Sequence, residues 1–230
     1  MVKTTLKLLK ASINLLKNMI KLVYCNVEQL DLEKGYKLVP KNRQDKIDKF
    51  YFIKDKKLSC GAYLLLKKLL CEVGINDPIF KLEKYGKSYI SNHEDIHFNM
   101  SHSGKFVSCA ISDKPVGVDI EYNDPTIDLD IAKNFFFNEE YENIMKSKNK
   151  SDEFFNYWVL KESYMKYTGL GFHLKLDTFQ IEINDTITLK NDVDNVKFSL
   201  FDVYDYKLAS AGQYLPKKCY EYNSKDLIME

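Results

Sequence analysis

Hydrophobic positions along the 230-residue chain alternate between helical and strand periods. From Leu58 to Val73 apolar side chains fall at 58, 62, 65, 66, 69 and 73 while Lys67, Lys68 and Glu72 face out, the period of a core helix. Short strand-like runs follow at 79–82, 88–91 and 96–100. The runs FVSCAIS and PVGVDIE, separated by Ser112-Asp113-Lys114, predict a β-hairpin. Tyr122-Asn123-Asp124-Pro125 breaks the pattern. Helices are predicted next at about 128–137 and 139–147, the second capped by Asn138, and then a longer one from Ser151, its N-cap, to Gly169, its stop. Strands at 178–183, 186–190 and 196–205 precede a KLASAG run. One long helix followed by several strands thus occurs twice, which predicts an α+β fold of two similar halves, 19–123 and 124–230, joined near 122–128.

Ahead of both halves, Leu6, Leu9, Ile13, Leu16 and Ile20 recur at spacings of three and four among five lysines and no acid, predicting a basic amphipathic helix. It reads either as a membrane-surface anchor or as a dispensable extension, residues 1–18, because Met19 opens a typical strand start. Lys7, Lys10, Lys17 and Lys21 interrupt any apolar stretch of secretory or spanning length. Cys25, Cys60, Cys71, Cys109 and Cys219 are odd in number, form no CxxC pair and sit mostly in apolar runs, so they read as reduced core thiols of a cytoplasmic protein. A net charge of +1 supplies no field to recruit nucleic acid or an anionic membrane. Of the 34 basic residues 33 are lysine, so a bidentate anion-binding role falls most naturally to the sole arginine, Arg43.

The near-zero net charge hides a dipolar chain. Eight basic residues between 37 and 57 face three acids, whereas eight acids between 119 and 142 face only Lys133. A basic pocket for a phosphorylated ligand beside an acidic metal site is one interpretation, and solvated faces are the other. Strand alternation sends Val116, Val118 and Ile120 into the core and leaves Asp119 and Glu121 side by side on the opposite face. Adjacent carboxylates suit a hard cation such as Mg²⁺ between them. On the long helix, positions 158, 162, 165, 166 and 169 share a face, stacking Trp158, Glu162 and Lys166; Glu162 to Lys166 also reads as an ordinary i,i+4 surface pair. Between these clusters Asn99-Met100-Ser101-His102-Ser103-Gly104 reads as a small polar loop whose imidazole and NH groups suit an anion. His93-Glu94-Asp95-Ile96-His97 matches the zinc-protease pattern HExxH, which needs a helix; the preceding Ser91-Asn92, Asp95 at an apolar position and the extended IHFNM run argue against one.

The ordered motifs NxSHS, GVDIE and WxxKExxxK closely resemble the Sfp-type 4′-phosphopantetheinyl transferase family. The likeness runs from about Ile20 onward and is densest over 85–182, through Tyr85-Gly86-Lys87, HFNMSHSG, GVDIE, FFNEEY, FFNYWVLKESYMKYTGLG and the KLDTF run. The resemblance implies a pseudo-twofold monomer of two α+β halves with the active site at their junction. It implies Mg²⁺-dependent transfer of the phosphopantetheine arm of coenzyme A to a serine of an apo acyl or peptidyl carrier protein, with release of 3′,5′-ADP. Asp119, Glu121 and Glu162 would be the metal-site carboxylates, with Glu162 able to double as the base. Lys166 would meet the pyrophosphate, Ser101 and His102 the nucleotide phosphates, Arg43 and Lys46 the 3′-phosphate, and Tyr85, Gly86 and Lys87 the nucleotide. Lys161 and Glu140 occupy further matching positions, and Trp158 packs the helix beneath the site. Many members carry an arginine where this chain has Leu58, and Lys56 and Lys57 are the nearest substitutes. An idle binder of coenzyme A or of a carrier protein is the alternative from another class, against which the intact Asp119, Glu121, Glu162 and Lys166 argue.

Overall fold

The computed structural model describes residues 16–192 and 195–229. Strand β1 (Ile20–Asn26) leads into helices α1 (Leu32–Leu38), α2 (Lys41–Asp48) and the long α3 (Ile53–Glu72). A short ribbon, β2 (Phe80–Leu82) and β3 (Ser88–Ile90), precedes β4 (His97–Ser103) and β5 (Phe106–Ser112). The order then repeats with β6 (Val116–Tyr122), helices α4 (Asp130–Phe135) and α5 (Asn138–Lys146), the long α6 (Lys150–Thr168), a second ribbon of β7 (Ile181–Ile183) and β8 (Ile187–Leu189), and strands β9 (Lys197–Val203) and β10 (Tyr206–Gly212). Strand β11 (Cys219–Tyr222) follows. The predicted pseudo-twofold α+β fold is therefore observed.

Two sheets carry the repeat, one in the order β11-β1-β5-β4 and the other β6-β10-β9. Alternation along each central strand decides what packs where. In β5, Val107, Cys109 and Ile111 meet the leucines of α3, while Phe106 and Ala110 turn to the other sheet. In β10, Ala209 and Ala211 meet α6 and Leu208 turns inward. The inward faces join Ile20, Leu22, Val116, Val118 and Ile120 into one apolar layer, so the molecule is built as helix, sheet, sheet and helix.

The predicted hairpin of 106–112 with 115–121 is corrected by this pairing. β5 has both edges occupied, by β1 and by β4, so β6 crosses at 113–115 to the other sheet and pairs antiparallel with β10. Other differences are local. α3 begins at Ile53 rather than at 58, because its first turn is solvated and carries no apolar stripe. Asn149, not Ser151, caps α6 by accepting from Asp152 N–H; the left-handed Gly169 ends it as expected. α5 starts at Asn138, so Phe137 takes the cap position and Glu140 accepts its N–H. α1 and α2 bury only Gly35 and Ile47 respectively and left no periodic signal. Residues 97–103, read as an extended run ending in a loop, form a continuous strand. Of the expected N-terminal helix, residues 1–15 lie outside the described residues, and Ile20 belongs instead to β1. All five cysteines are free thiols, with Cys71 exposed. Among the described residues no helix is long and apolar enough to cross a membrane.

Candidate active site

The site forms where β6 meets β4 and α6. Gly117 makes this possible: a Cβ there would lie 1.9 Å from Ser163 O and 2.4 Å from Tyr167 N, so only glycine lets α6 lie directly on β6. The next two residues on that face are Asp119 and Glu121. Asp119 is 1% exposed, and its Oδ1 accepts from Ser101 Oγ at 2.7 Å and from Lys166 Nζ at 2.5 Å. Lys166 also donates to Ser101 Oγ at 2.9 Å. The other oxygen of Asp119, Oδ2, is buried without a hydrogen-bond partner. Burial, then the neighbouring Asp119 and Glu162 charges, push the Glu121 carboxyl up to about 7. Glu162, on α6, is raised for the same two reasons, burial and Asp119, with Lys166 opposing.

These three carboxylates thus share one electrostatic field. Among the described residues, however, no group of three or more His, Cys, Asp or Glu is gathered to hold a metal ion. The expected trio of Asp119, Glu121 and Glu162 is met as an acid cluster, with Lys166 standing against Asp119, rather than as a finished coordination shell. Its chemistry still fits a hard divalent cation: every donor is a carboxylate oxygen, and one buried oxygen lacks a partner.

Beside the acids runs a line of cations. The His102 ring, whose side chain emerges from β4, is shifted below the ordinary imidazole range by desolvation, then by Lys166, with Lys46 contributing. Lys46 is lowered in turn by burial and by Arg43. The Arg43 guanidinium lies 5.2 Å from the Tyr63 ring centroid, and with Lys46, Phe80, Phe98 and Met100 it lines a cleft of about 320 Å³. Arg43 and Lys46, within electrostatic reach of each other, line a place for an anion, with the His102 ring near Lys46.

Comparisons with known proteins identify the family. Residues 27–114 match the family described as 4′-phosphopantetheinyl transferase, N-terminal, and residues 115–214 match the 4′-phosphopantetheinyl transferase superfamily. The 4′-phosphopantetheinyl transferase Sfp of Bacillus subtilis is 33% identical over 163 residues, covering 69% of this chain and 72% of the relative. The chain belongs to the 4′-phosphopantetheinyl transferase superfamily. A further relative, the 4′-phosphopantetheinyl transferase gsp of Aneurinibacillus migulanus, is 38% identical over 157 residues, 66% of this chain and 65% of its own. The solved holo-[acyl-carrier-protein] synthase of Neisseria meningitidis aligns with a TM-score of 0.38 and 15% identity, over 43% of this chain and 95% of that one.

Not every residue expected in the transferase site reaches it. Lys161 is corrected: it is fully buried on the far side of α6, paired with Glu140 at 2.8 Å and donating to Leu176 O and Phe179 O, so no substrate can touch it. Lys87 donates to Val116 O at 3.2 Å and Tyr167 O at 2.9 Å, and its burial pulls it down to about 8. Its neighbours Tyr85 and Gly86 form a turn docked past the end of α6, the Tyr85 ring 4.6 Å from that of His173. The HExxH match is likewise set aside, since His93 sits in a turn and His97 opens β4. Trp158 stacks on Phe154 and Phe136, the packing role expected of it. Two features escaped sequence reasoning. One is Gly117, whose role needs knowledge of what lies above the strand. The other is a cleft of about 460 Å³ lined by Lys54, Lys57, Leu58, Lys105 and Tyr206, at the position where the resemblance found Leu58 in place of arginine; Lys57 lines it and donates to Glu28 O at 2.6 Å.

Proposed function

We propose that this transferase moves the 4′-phosphopantetheine arm of coenzyme A to a serine of an apo acyl or peptidyl carrier protein, with Mg²⁺, and releases 3′,5′-ADP. One observation carries the reading: an acid cluster of Asp119, Glu121 and Glu162 abuts a line of basic side chains, Lys166, His102, Lys46 and Arg43, the pattern a pyrophosphate bound through a divalent cation requires. The three carboxylates would hold the metal, which when bound neutralises charge developing on the phosphate oxygens.

The remaining steps belong to side chains. His102 and Ser101 orient the nucleotide phosphates, and Arg43 and Lys46 fix the 3′-phosphate. Lys57 stands in for the arginine that many relatives carry at the Leu58 position. Lys166 pairs with the phosphate that leaves. The carrier serine oxygen bonds to the β-phosphorus, the bond from that phosphorus to the oxygen of the departing 3′,5′-ADP breaks, and the serine proton passes to Glu162, which burial and the Asp119 charge make more basic than a free carboxylate. Both walls of the site come from one chain, which supports action as a monomer. Five free thiols support a reducing, cytoplasmic setting.

Intact-mass spectrometry of apo acyl and peptidyl carrier proteins after incubation with this protein, coenzyme A and Mg²⁺ tests the reading. The expected result is an EDTA-sensitive gain of about 340 Da on a carrier serine. Coenzyme A binding with no gain on any carrier and no 3′,5′-ADP would overturn it in favour of an idle binder.

A further inference from the structure

β4 and β6 are edge strands of different sheets, and they lie against each other without sharing a main-chain ladder. Side chains join them instead. Asn99 Oδ1 accepts from Val118 N–H at 2.9 Å, Ser101 Oγ donates to Asp119 Oδ1, and Ser103 Oγ accepts from Tyr122 N–H at 3.2 Å, near enough to Glu121 to hold its carboxyl down. The offset along the chain stays at 18–19 residues, so the strands run parallel and in register. Lys87 extends the seam at its lower end through Val116 O. The asparagine and the two serines alternate on β4, as the two acids alternate on β6, and each serine meets one acid.

The energetics make these contacts specific. Val118 is fully buried, and a buried N–H left without an acceptor costs about 1–3 kcal/mol, so Asn99 is required where no neighbouring strand offers a carbonyl.

We propose that Asn99 and Ser103 are positioning residues, which hold the acid-bearing strand in register with the His102-bearing strand so that the two halves present one reacting site. The inference rests on the assignment of Asp119, Glu121 and His102 to that site. It concerns residues that never touch the reacting phosphorus. Asn99 acts through the Val118 amide, and Ser103 acts through the Tyr122 amide.

The test combines amide hydrogen exchange, read residue by residue by NMR, with steady-state transfer kinetics. Asn99→Ala is expected to speed exchange of the Val118 amide at least about tenfold while α3 and β1 keep their protection. It is expected to lower kcat about tenfold to a hundredfold with KM for coenzyme A within about twofold. Asn99→Asp, which keeps the acceptor oxygen, should restore Val118 protection. Ser103→Ala should expose Tyr122 and lower kcat in the same way, and Ser103→Thr should restore both. Unchanged protection at Val118 and Tyr122, or faster exchange with kcat held within twofold, overturns the proposal, as does a rise in KM alone. Should Asn99→Ala unfold, the Ser103 pair decides the matter. A wild-type protein that modifies no carrier would overturn the proposed transfer and leave the exchange result standing.

Discussion

Each half begins with a strand that has one edge left over after its antiparallel partner is taken, and the two edges are closed in different ways. The outer edge of β1 receives β11 in a parallel main-chain ladder, Leu22 to Cys25 beside Cys219 to Tyr222. The outer edge of β6 receives side chains, from β4 and from Lys87. A main-chain ladder tolerates most sequences and leaves no ionisable group in the gap. A side-chain seam demands named residues, and one of them, Ser101, bonds a carboxylate of the acid cluster. The helices above them differ in the same sense: α3 turns mostly leucine inward, whereas α6 buries Lys161 and Ser163 among its aromatic and aliphatic residues. The acid cluster lies at the half-junction whose closure is made of side chains.

The sharpest break of that contrast removes the acid on α6. Glu162→Gln is expected to lower the transfer rate by about 10²–10⁴ with little change in thermal midpoint, measured by single-turnover carrier modification. A near wild-type rate would remove Glu162 from its assigned role. Next comes the buried pair behind the same helix. Lys161→Met leaves Glu140 buried and uncompensated, which costs about 3–5 kcal/mol in urea unfolding. A matched pair of glycine substitutions sharpens the comparison between the halves. In Gly117→Ala the added carbon meets helix backbone and α6 must lift, so a loss of about 3 kcal/mol and of transfer is expected. In Gly61→Ala it meets Val27 Cγ1 at 2.4 Å, a side chain that can turn, so the loss on the α3 side is smaller and transfer survives. The smallest effect belongs to the ladder edge. Glu72, paired with Lys21 and accepting from Tyr222 Oη, is partly exposed, and Glu72→Gln is expected to cost less than about 1 kcal/mol with transfer unchanged.

Much of this was legible in residue periods. Alternation placed Asp119 and Glu121 on one face, and helical spacing put Glu162 and Lys166 on one stripe, which the shared field and the Lys166–Asp119 contact bear out. The same spacing left Lys161 off that stripe; only family likeness drew it toward the site, and its burial against Glu140 explains why the position holds a lysine. The hairpin expectation failed because a turn signal reports that the chain reverses, not which strand edges remain open. NxSHS was read as a loop because its polar residues look solvated. Their period of two is that of a strand, and the groups that satisfy them lie 18–19 residues away, beyond any local window.

The ladder at β1 carries a consequence for how the chain is made. Tyr24 and Glu221, which meet across it, are 197 residues apart, so the first strand of the N-terminal half waits for its neighbour until both halves have been synthesised. During that interval the nascent protein has a row of N–H and C=O groups on β1 with no strand beside it. The closing strand therefore acts late in biogenesis, as the step that withdraws a sticky edge from other chains.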